Sequence, residues 1–271
     1  MFIKRILFSL LGIEGYLRFV SRIFLSLYFS GILRVKEKFG FHYFLKKLIR
    51  KGDTVIDIGG NLGYYTVSFA RLTGRGGKVL SVEPVTLFRK VLERNIKRYR
   101  LGEIVTVLPF ALGKENNARI QMGVPSGSKH FRHGLTRVVE GNTDATNDFI
   151  FEETMMRPDS LFGDLDRIDY IKCDVEGYEI HILPEMISVL QKHQPLIQIE
   201  TDGENREKII DLLNSLGYTP HYVQKGKIHR YTGNESFHTG DLLFIGSKHQ
   251  ISGVKRFISG VADRKSTRLN S

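Results

Sequence analysis

The sequence predicts an α/β chain built on a doubly wound, mostly parallel sheet. Two observations carry that expectation. From Lys51 onward short apolar strand patterns alternate with amphipathic helical ones, and a glycine-rich turn follows the first strand. Parallel strands need long crossovers, so the helices between them cover both faces of the sheet.

Residues 1–50 read as helical, because Phe, Leu and Ile recur among Lys and Arg at helix-like intervals. Gly12, Gly15, Gly31 and Gly40 are expected to break the pattern. The longest uncharged run, Ile23 to Leu33, falls short of the ~18–20 apolar residues of a spanning helix. Glu14 interrupts the run a secretory signal would need. The segment is therefore expected to be a basic amphipathic extension, lying on an anionic membrane surface or packed as a lid or dimer element on the next domain.

The expected domain covers residues 51–250. Its strands are Thr54–Ile58, Lys78–Val82, Ile104–Leu108, Tyr170–Cys173, Leu196–Glu200, Thr219–Val223 and Leu242–Gly246, which makes seven. Helical patterns fall at Tyr64–Leu72, Thr86–Arg100, Glu179–Leu183 with Glu185–Lys192, and Arg206–Leu216. Residues 121–160 are polar and glycine-containing, and are expected to form a functional loop or a small β insertion. Residues 251–262 form a C-terminal segment. The last nine residues, DRKSTRLNS, match a translated frame of a common sequencing adapter and are set aside as read-through.

The net charge of +11 sits mainly at the N-terminus, where residues 1–50 hold ten Lys/Arg against Glu14 and Glu37. The body is nearly neutral, which argues against a nucleic-acid partner. One cysteine, Cys173, allows neither an internal disulfide nor a multi-cysteine metal site. A reducing, cytoplasmic location follows, with peripheral contact at the inner membrane surface if the N-terminal helices bind lipid.

The turn lies in VIDIGGNLGYYT, residues 55–66. In open α/β sheets ligands bind beyond the carboxyl ends of the strands, where Gly59 and Gly60 fall, and a helix starting near Leu62 would aim amides there. A triphosphate loop needs Lys then Ser/Thr after its last glycine, whereas Tyr64 and Tyr65 follow Gly63. A dinucleotide fingerprint needs Gly-x-Gly-x-x-Gly, and this register differs. Glu83, placed where a ribose-binding acid would lie, keeps an NAD-dependent oxidoreductase as an alternative. The better fit is a cofactor with ribose and a charged amino-acid portion but no phosphate, S-adenosylmethionine. Asp57 would face its ammonium, Gly59 to Gly63 its amino-acid chain, and Glu83 both ribose hydroxyls.

In DYIKCDVEGYE, Asp174 and Glu176 are the candidate catalytic carboxylates, placed to orient an acceptor hydroxyl or take its proton. A structural use, with Asp174 capping the next helix, is the other reading. His130, His133, Asp144 and Asp148 are irregularly spaced, so no metal is expected. Lys129, Arg132 and Arg137 make an acidic acceptor conceivable, as does Lys172 if its ammonium is exposed.

VIDIGGNLGYYT, VLSVEP, VLPFALG, RIDYIKCDVEGYEIHIL and PLIQIE together resemble the successive motifs of FkbM-type S-adenosylmethionine-dependent methyltransferases. The resemblance covers about residues 50–246. It implies a Rossmann-like methyltransferase fold with an antiparallel last strand, commonly O-directed transfer, and cofactor contacts at Asp57, Gly59, Gly60, Asn61, Gly63, Tyr65, Thr66, Glu83 and Ala111. Gly60 stands where that family usually has Ala, and Arg157-Pro158-Asp159-Ser160-Leu161 replaces the usual Thr-Leu-Asp-Ser-Leu. The expected function is methyl transfer to a hydroxyl, on a sugar of a glycan or glycolipid precursor. A non-catalytic membrane-surface protein is the alternative of a different class.

Overall fold

The computed structural model describes residues 2–127, 130–131, 137–138, 147–201, 205–235 and 240–247. Helix α1 (Phe2–Phe29) and α2 (Gly40–Leu48) are joined by two 3-10 turns. Gly12 kinks α1 at φ 63°, and Gly31 adopts left-handed angles beyond its end. A boundary also falls at Gly40, which opens α2 after the second 3-10 turn, whereas Gly15 lies inside α1 and does not interrupt it. A glycine weakens a helix by only about 1 kcal/mol, which packing readily offsets.

The α/β body begins with β1 (Thr54–Ile58), α3 (Tyr64–Thr73), β2 (Lys78–Val82), α4 (Thr86–Arg98) and β3 (Val105–Leu108). Five short or ribbon strands follow: β4 (Ala111–Leu112), β5 (Ala118–Gly127), β6 (His130–Phe131), β7 (Arg137–Val138) and β8 (Asn147–Met156). The chain continues through α5 (Pro158–Phe162), β9 (Tyr170–Cys173), α6 (Glu179–Ile182), α7 (Ile187–His193), β10 (Leu196–Glu200) and α8 (Asn205–Ser215). It closes with β11 (Tyr218–Gln224), β12 (Lys227–Arg230) and β13 (Asp241–Gly246).

The main sheet has the order β12-β11-β13-β10-β9-β1-β2-β3. Its five strands from β10 to β3 are parallel, and β13 inserts antiparallel between β10 and β11. The sheet therefore has eight strands where seven were expected. The extra one, β12, folds back on β11 through Lys225 and Gly226 at φ 48° and 73°. Two successive positive φ angles make the tight hairpin turn whose twist suits antiparallel strands. The expected insertion is a β ribbon that begins at Ala118, earlier than residue 121, and pairs β5 with β8 as far as Met155. The side chains of His130, His133, Asp144, Asp148, Lys129, Arg132 and Arg137 lie outside the described residues, as does everything after residue 247.

Strand alternation divides the core. Ile56, Ile58, Ile171 and Ile197 face α6, α7 and α8, while Val55, Val79, Tyr170 and Leu196 face α2, α3 and α4. Leu25, Phe41, Phe44, Leu45 and Leu48 of the N-terminal helices belong to that second core. Each such buried side chain contributes roughly 1.5–3 kcal/mol, so the segment from Leu25 to Leu48 is anchored on the domain through these residues.

Candidate active site

Strand order reverses at β1: β2 and β3 lie on one side of it, β9 and β10 on the other. The carboxyl end of β1 is held to both neighbours. Gly59 and Gly60 donate their amides to Val82 O at 3.0 and 2.9 Å, and Asp174 donates its amide to Ile58 O at 3.1 Å. The turn leaves no room for side chains. A Cβ on Gly59, at φ 86°, would lie 1.9 Å from Asp174 O, and one on Gly60 would lie 2.3 Å from Ser81 Oγ. Helix α3 starts at Tyr64, where its helical pattern was expected to begin, with left-handed Gly63 before it.

A cavity of about 250 Å³ opens at this edge. Its wall includes Gly59, Gly60, Asn61, Tyr65, Glu83, Ala111, Asp174 and Glu176 from the sequence expectation, together with Tyr64, Phe88, Met122, Lys172 and Tyr178. Asp57, Gly63 and Thr66 are not in that wall. Gly63 packs towards Leu92, and Asp57 and Thr66 lie beneath the turn.

That lower position corrects the role expected for Asp57. Register aligns Ser81, Asp57, Lys172 and Gln198 in one row across β2, β1, β9 and β10, all of them buried. Helix α3 covers the row. Thr66 donates to Asp57 Oδ2 at 2.5 Å and shares a 2.9 Å contact with Ser81 Oγ, while Gln198 Nε2 donates to Tyr65 Oη and to Asp241 Oδ2, both at 3.2 Å. Asp57 Oδ1 has no hydrogen-bond partner among the described residues, and burial raises the Asp57 pKa against the pull of Lys172 and Thr66. Asp57 thus holds the turn from below, because alternation points it to the α3 face.

Lys172 corrects a second expectation. Its ammonium is not exposed: the side chain is 2% accessible, with Nζ 2.5 Å from Asp174 Oδ2 and 4.4 Å from the Tyr65 ring centre. Burial alone would lower its pKa, but Asp174, Asp57 and Asp241 outweigh burial and keep it charged. A cation so neutralised is not a docking point for an acidic acceptor.

Glu83, at the end of β2, is 4% exposed. Its two oxygens accept amides from Asn61 at 2.7 Å and Val85 at 2.8 Å. Each oxygen retains a lone pair for a ribose hydroxyl. Burial pushes its pKa up to about 7, with the two amides pulling the other way. The bare turn and this acid fit S-adenosylmethionine: the turn leaves space for a close-lying chain, and Glu83 has oxygens that could accept from a sugar.

Asp174, Glu176 and Glu200 bring carboxylate oxygens within 4.8 Å of one another. Glu200 was not among the expected site residues, although PLIQIE ends on it. Burial opposes ionisation of Asp174, yet the Lys172 charge and hydrogen bonds from Glu200 and Lys172 hold its pKa below the usual aspartate value. Glu200 is driven the other way, first by its hydrogen bond to Asp174 and then by burial. Such spacing admits a shared proton or a divalent cation, and the adjacent Lys172 charge favours the proton. Glu176 takes φ 55°, a left-handed conformation uncommon for a non-glycine residue, which sets the carboxylate in the turn.

The methyltransferase FkbM domain matches residues 57–220. Among solved structures, the chain is similar to an FkbM methyltransferase from Methylobacillus flagellatus at 18% identity and TM-score 0.46, covering 71% of this chain and 43% of that one. The chain thus spans under half the length of that relative. It is also similar to a SAM-dependent O-methyltransferase from Thermotoga maritima (14% identity, TM-score 0.42, 79% of this chain and 68% of that one). A third is Aeropyrum pernix fibrillarin with natively bound S-adenosyl-L-methionine (9% identity, TM-score 0.42, 73% and 67%). No curated protein matches the sequence significantly. The domain match takes in more than half of the chain, which therefore belongs to the FkbM methyltransferase domain family, with S-adenosylmethionine as its cofactor.

Proposed function

We propose that the protein O-methylates a hydroxyl, on a sugar of a glycan or glycolipid precursor, and that it does so in a reducing cytoplasmic compartment. The observation that carries this reading is Asp174 in the cavity wall, paired with Lys172 at 2.5 Å and clustered with Glu176 and Glu200. S-adenosylmethionine supplies a methyl group made electrophilic by its sulfonium.

The protein's task is then to hold an acceptor oxygen in line and to manage one proton. Glu83 and the Gly59–Asn61 backbone would hold the cofactor, and Tyr64, Phe88 and Met122 would keep water from it. Asp174 accepts the hydrogen bond of the acceptor hydroxyl. As the new C–O bond forms, that hydroxyl becomes strongly acidic, so even a weakly basic carboxylate can take its proton. Lys172 keeps Asp174 ionised beforehand, and Glu176 orients further hydroxyls of the acceptor.

The test is transfer of labelled methyl from the cofactor into a pool of glycans and lipid-linked sugars. Wild type should yield an acid-stable methyl ether. Asp174→Asn should bind cofactor normally but lose roughly 10²–10⁴-fold in rate. Undiminished transfer by Asp174→Asn, or label on nitrogen or carbon, contradicts the reading.

A further inference from the structure

Exposed apolar side chains are not scattered over this protein. Among the described residues the large ones are Leu10, Leu11, Phe19, Ile23, Ile32, Val35, Phe149 and Ile150. Six fall in the first 35 residues and two on β8, whose Phe151 packs against the apolar cluster that includes Leu17 of α1. Their concentration marks an interaction surface, since isolated exposed residues would be unremarked but a localised set is not.

Helix α1 is divided by face. Leu17, Ser21, Leu25 and Tyr28 are buried at helical spacing, while Phe19, Arg22, Ile23, Ser26 and Ser30 are open or nearly so along the opposite side. Beyond Gly31 the chain adds exposed Ile32 and Val35, the latter 88% accessible, among exposed Arg34, Lys36 and Lys38. Of the two acids in this segment, Glu14 is already engaged by Arg94 and Arg18. No described helix is long and apolar enough to cross a membrane.

We infer that this face docks on an anionic lipid bilayer, with Phe19, Ile23, Ile32 and Val35 entering the headgroup region and Arg22, Arg34, Lys36 and Lys38 pairing with lipid phosphates. Apolar residues interleaved with cations on a non-spanning helix are what an interfacial helix needs. Charge decides against a second copy as the occupant. An isologous contact sets a patch against itself, and this patch would meet its own excess of cations.

The docking has a consequence for the site. The Phe24 ring lies tilted against Tyr64 with centroids 4.2 Å apart, and Leu17 shares an apolar cluster with Phe88; both Tyr64 and Phe88 line the cavity. A bound α1 would hold the cavity about one helix diameter, ~10 Å, from the headgroups. A membrane-held acceptor would be within reach. That purpose rests on the function proposed above, whereas the docking does not.

Flotation of the full chain with vesicles separates the cases. The chain should float with vesicles containing about one-third phosphatidylglycerol, stay behind with neutral phosphatidylcholine, and be released by high salt. Phe19→Glu with Val35→Glu should cut the bound fraction about tenfold or more with melting temperature and cofactor affinity unchanged; Val35→Glu alone, far from any core, should give a smaller loss. Folded wild type that ignores anionic vesicles overturns the inference. So does undiminished flotation of the double variant, or a dimer in sedimentation that the same substitutions dissolve. Flotation without any methyl transfer would leave docking intact and remove the acceptor reading.

Discussion

Lys172 Nζ lies 2.5 Å from Asp174 Oδ2, so the one buried cation of the central row is tied to a carboxylate of the cavity wall. The pair joins the sheet interior to the site. Removing the cation leaves Asp57, Asp174 and Asp241 facing one another without compensation. Lys172→Met should therefore destabilise the fold by about 3–5 kcal/mol in urea unfolding. A loss below ~1 kcal/mol would show that the ammonium does not hold these acids together.

Gly60 and Ser81 form a second coupled pair. A Cβ at 60 would meet Ser81 Oγ at 2.3 Å, which explains why this chain has glycine where the resembling family usually has Ala. Gly60→Ala should cost about 1–3 kcal/mol, the usual range for overpacking. Adding Ser81→Ala should recover most of it, because Thr66 keeps its bond to Asp57. Thermal unfolding of the four-member cycle checks the coupling; simple additivity would refute it.

Glu83 sets a pH dependence for cofactor binding. Its pKa in the ligand-free fold stands near 7, and ribose hydroxyls need the ionised form as a double acceptor. Affinity should rise with pH from 6 and level off above about 7.5, by at most roughly tenfold per pH unit. Glu83→Gln should bind weakly and show no such rise. Titrations at several pH values decide, and a flat wild-type profile would count against ribose recognition by Glu83.

His42 sets a pH dependence for stability. Its ring stacks on Tyr65 at 4.2 Å and Nε2 lies 2.9 Å from Ser68 Oγ; burial, then the Lys172 charge, lowers its pKa to about 3. Between 3 and 6.5 the unfolded chain holds a proton there that the folded chain lacks, so stability falls as pH drops through that window, by about 1.4 kcal/mol per pH unit. Glu83 acts with opposite sign between 4.5 and 7, since the folded chain holds the extra proton. The His42 contribution is therefore read from wild type minus His42→Phe, whose difference should shrink on acidification. A constant difference from pH 7 to 4 would contradict it.

Much of this was legible in the sequence. Strands at Thr54–Ile58, Lys78–Val82, Tyr170–Cys173 and Leu196–Glu200 match their expected bounds, because short runs rich in β-branched residues flanked by turns leave little choice. The hairpin strand Lys227–Arg230 escaped notice, since its two outer residues are charged and only Ile228 is buried. Depth was harder to read than position. Strand alternation tells which face Asp57 and Lys172 take, but only the packing of α3, with Thr66 on Asp57, shows that Asp57 is sealed beneath the turn. Glu200 joins Asp174 through the pairing of β9 with β10, a contact between residues 26 apart in the chain that no local motif spells out.

The most direct test of the account is calorimetric titration of the chain, truncated before Asp263, with S-adenosylmethionine and separately with NAD, for wild type and Glu83→Ala. Micromolar binding of S-adenosylmethionine alone, weakened at least about tenfold by Glu83→Ala, is the expected result. Preference for NAD, no binding by a folded sample, or unchanged affinity in Glu83→Ala would contradict the central claim that this turn and this acid form the methyl donor site.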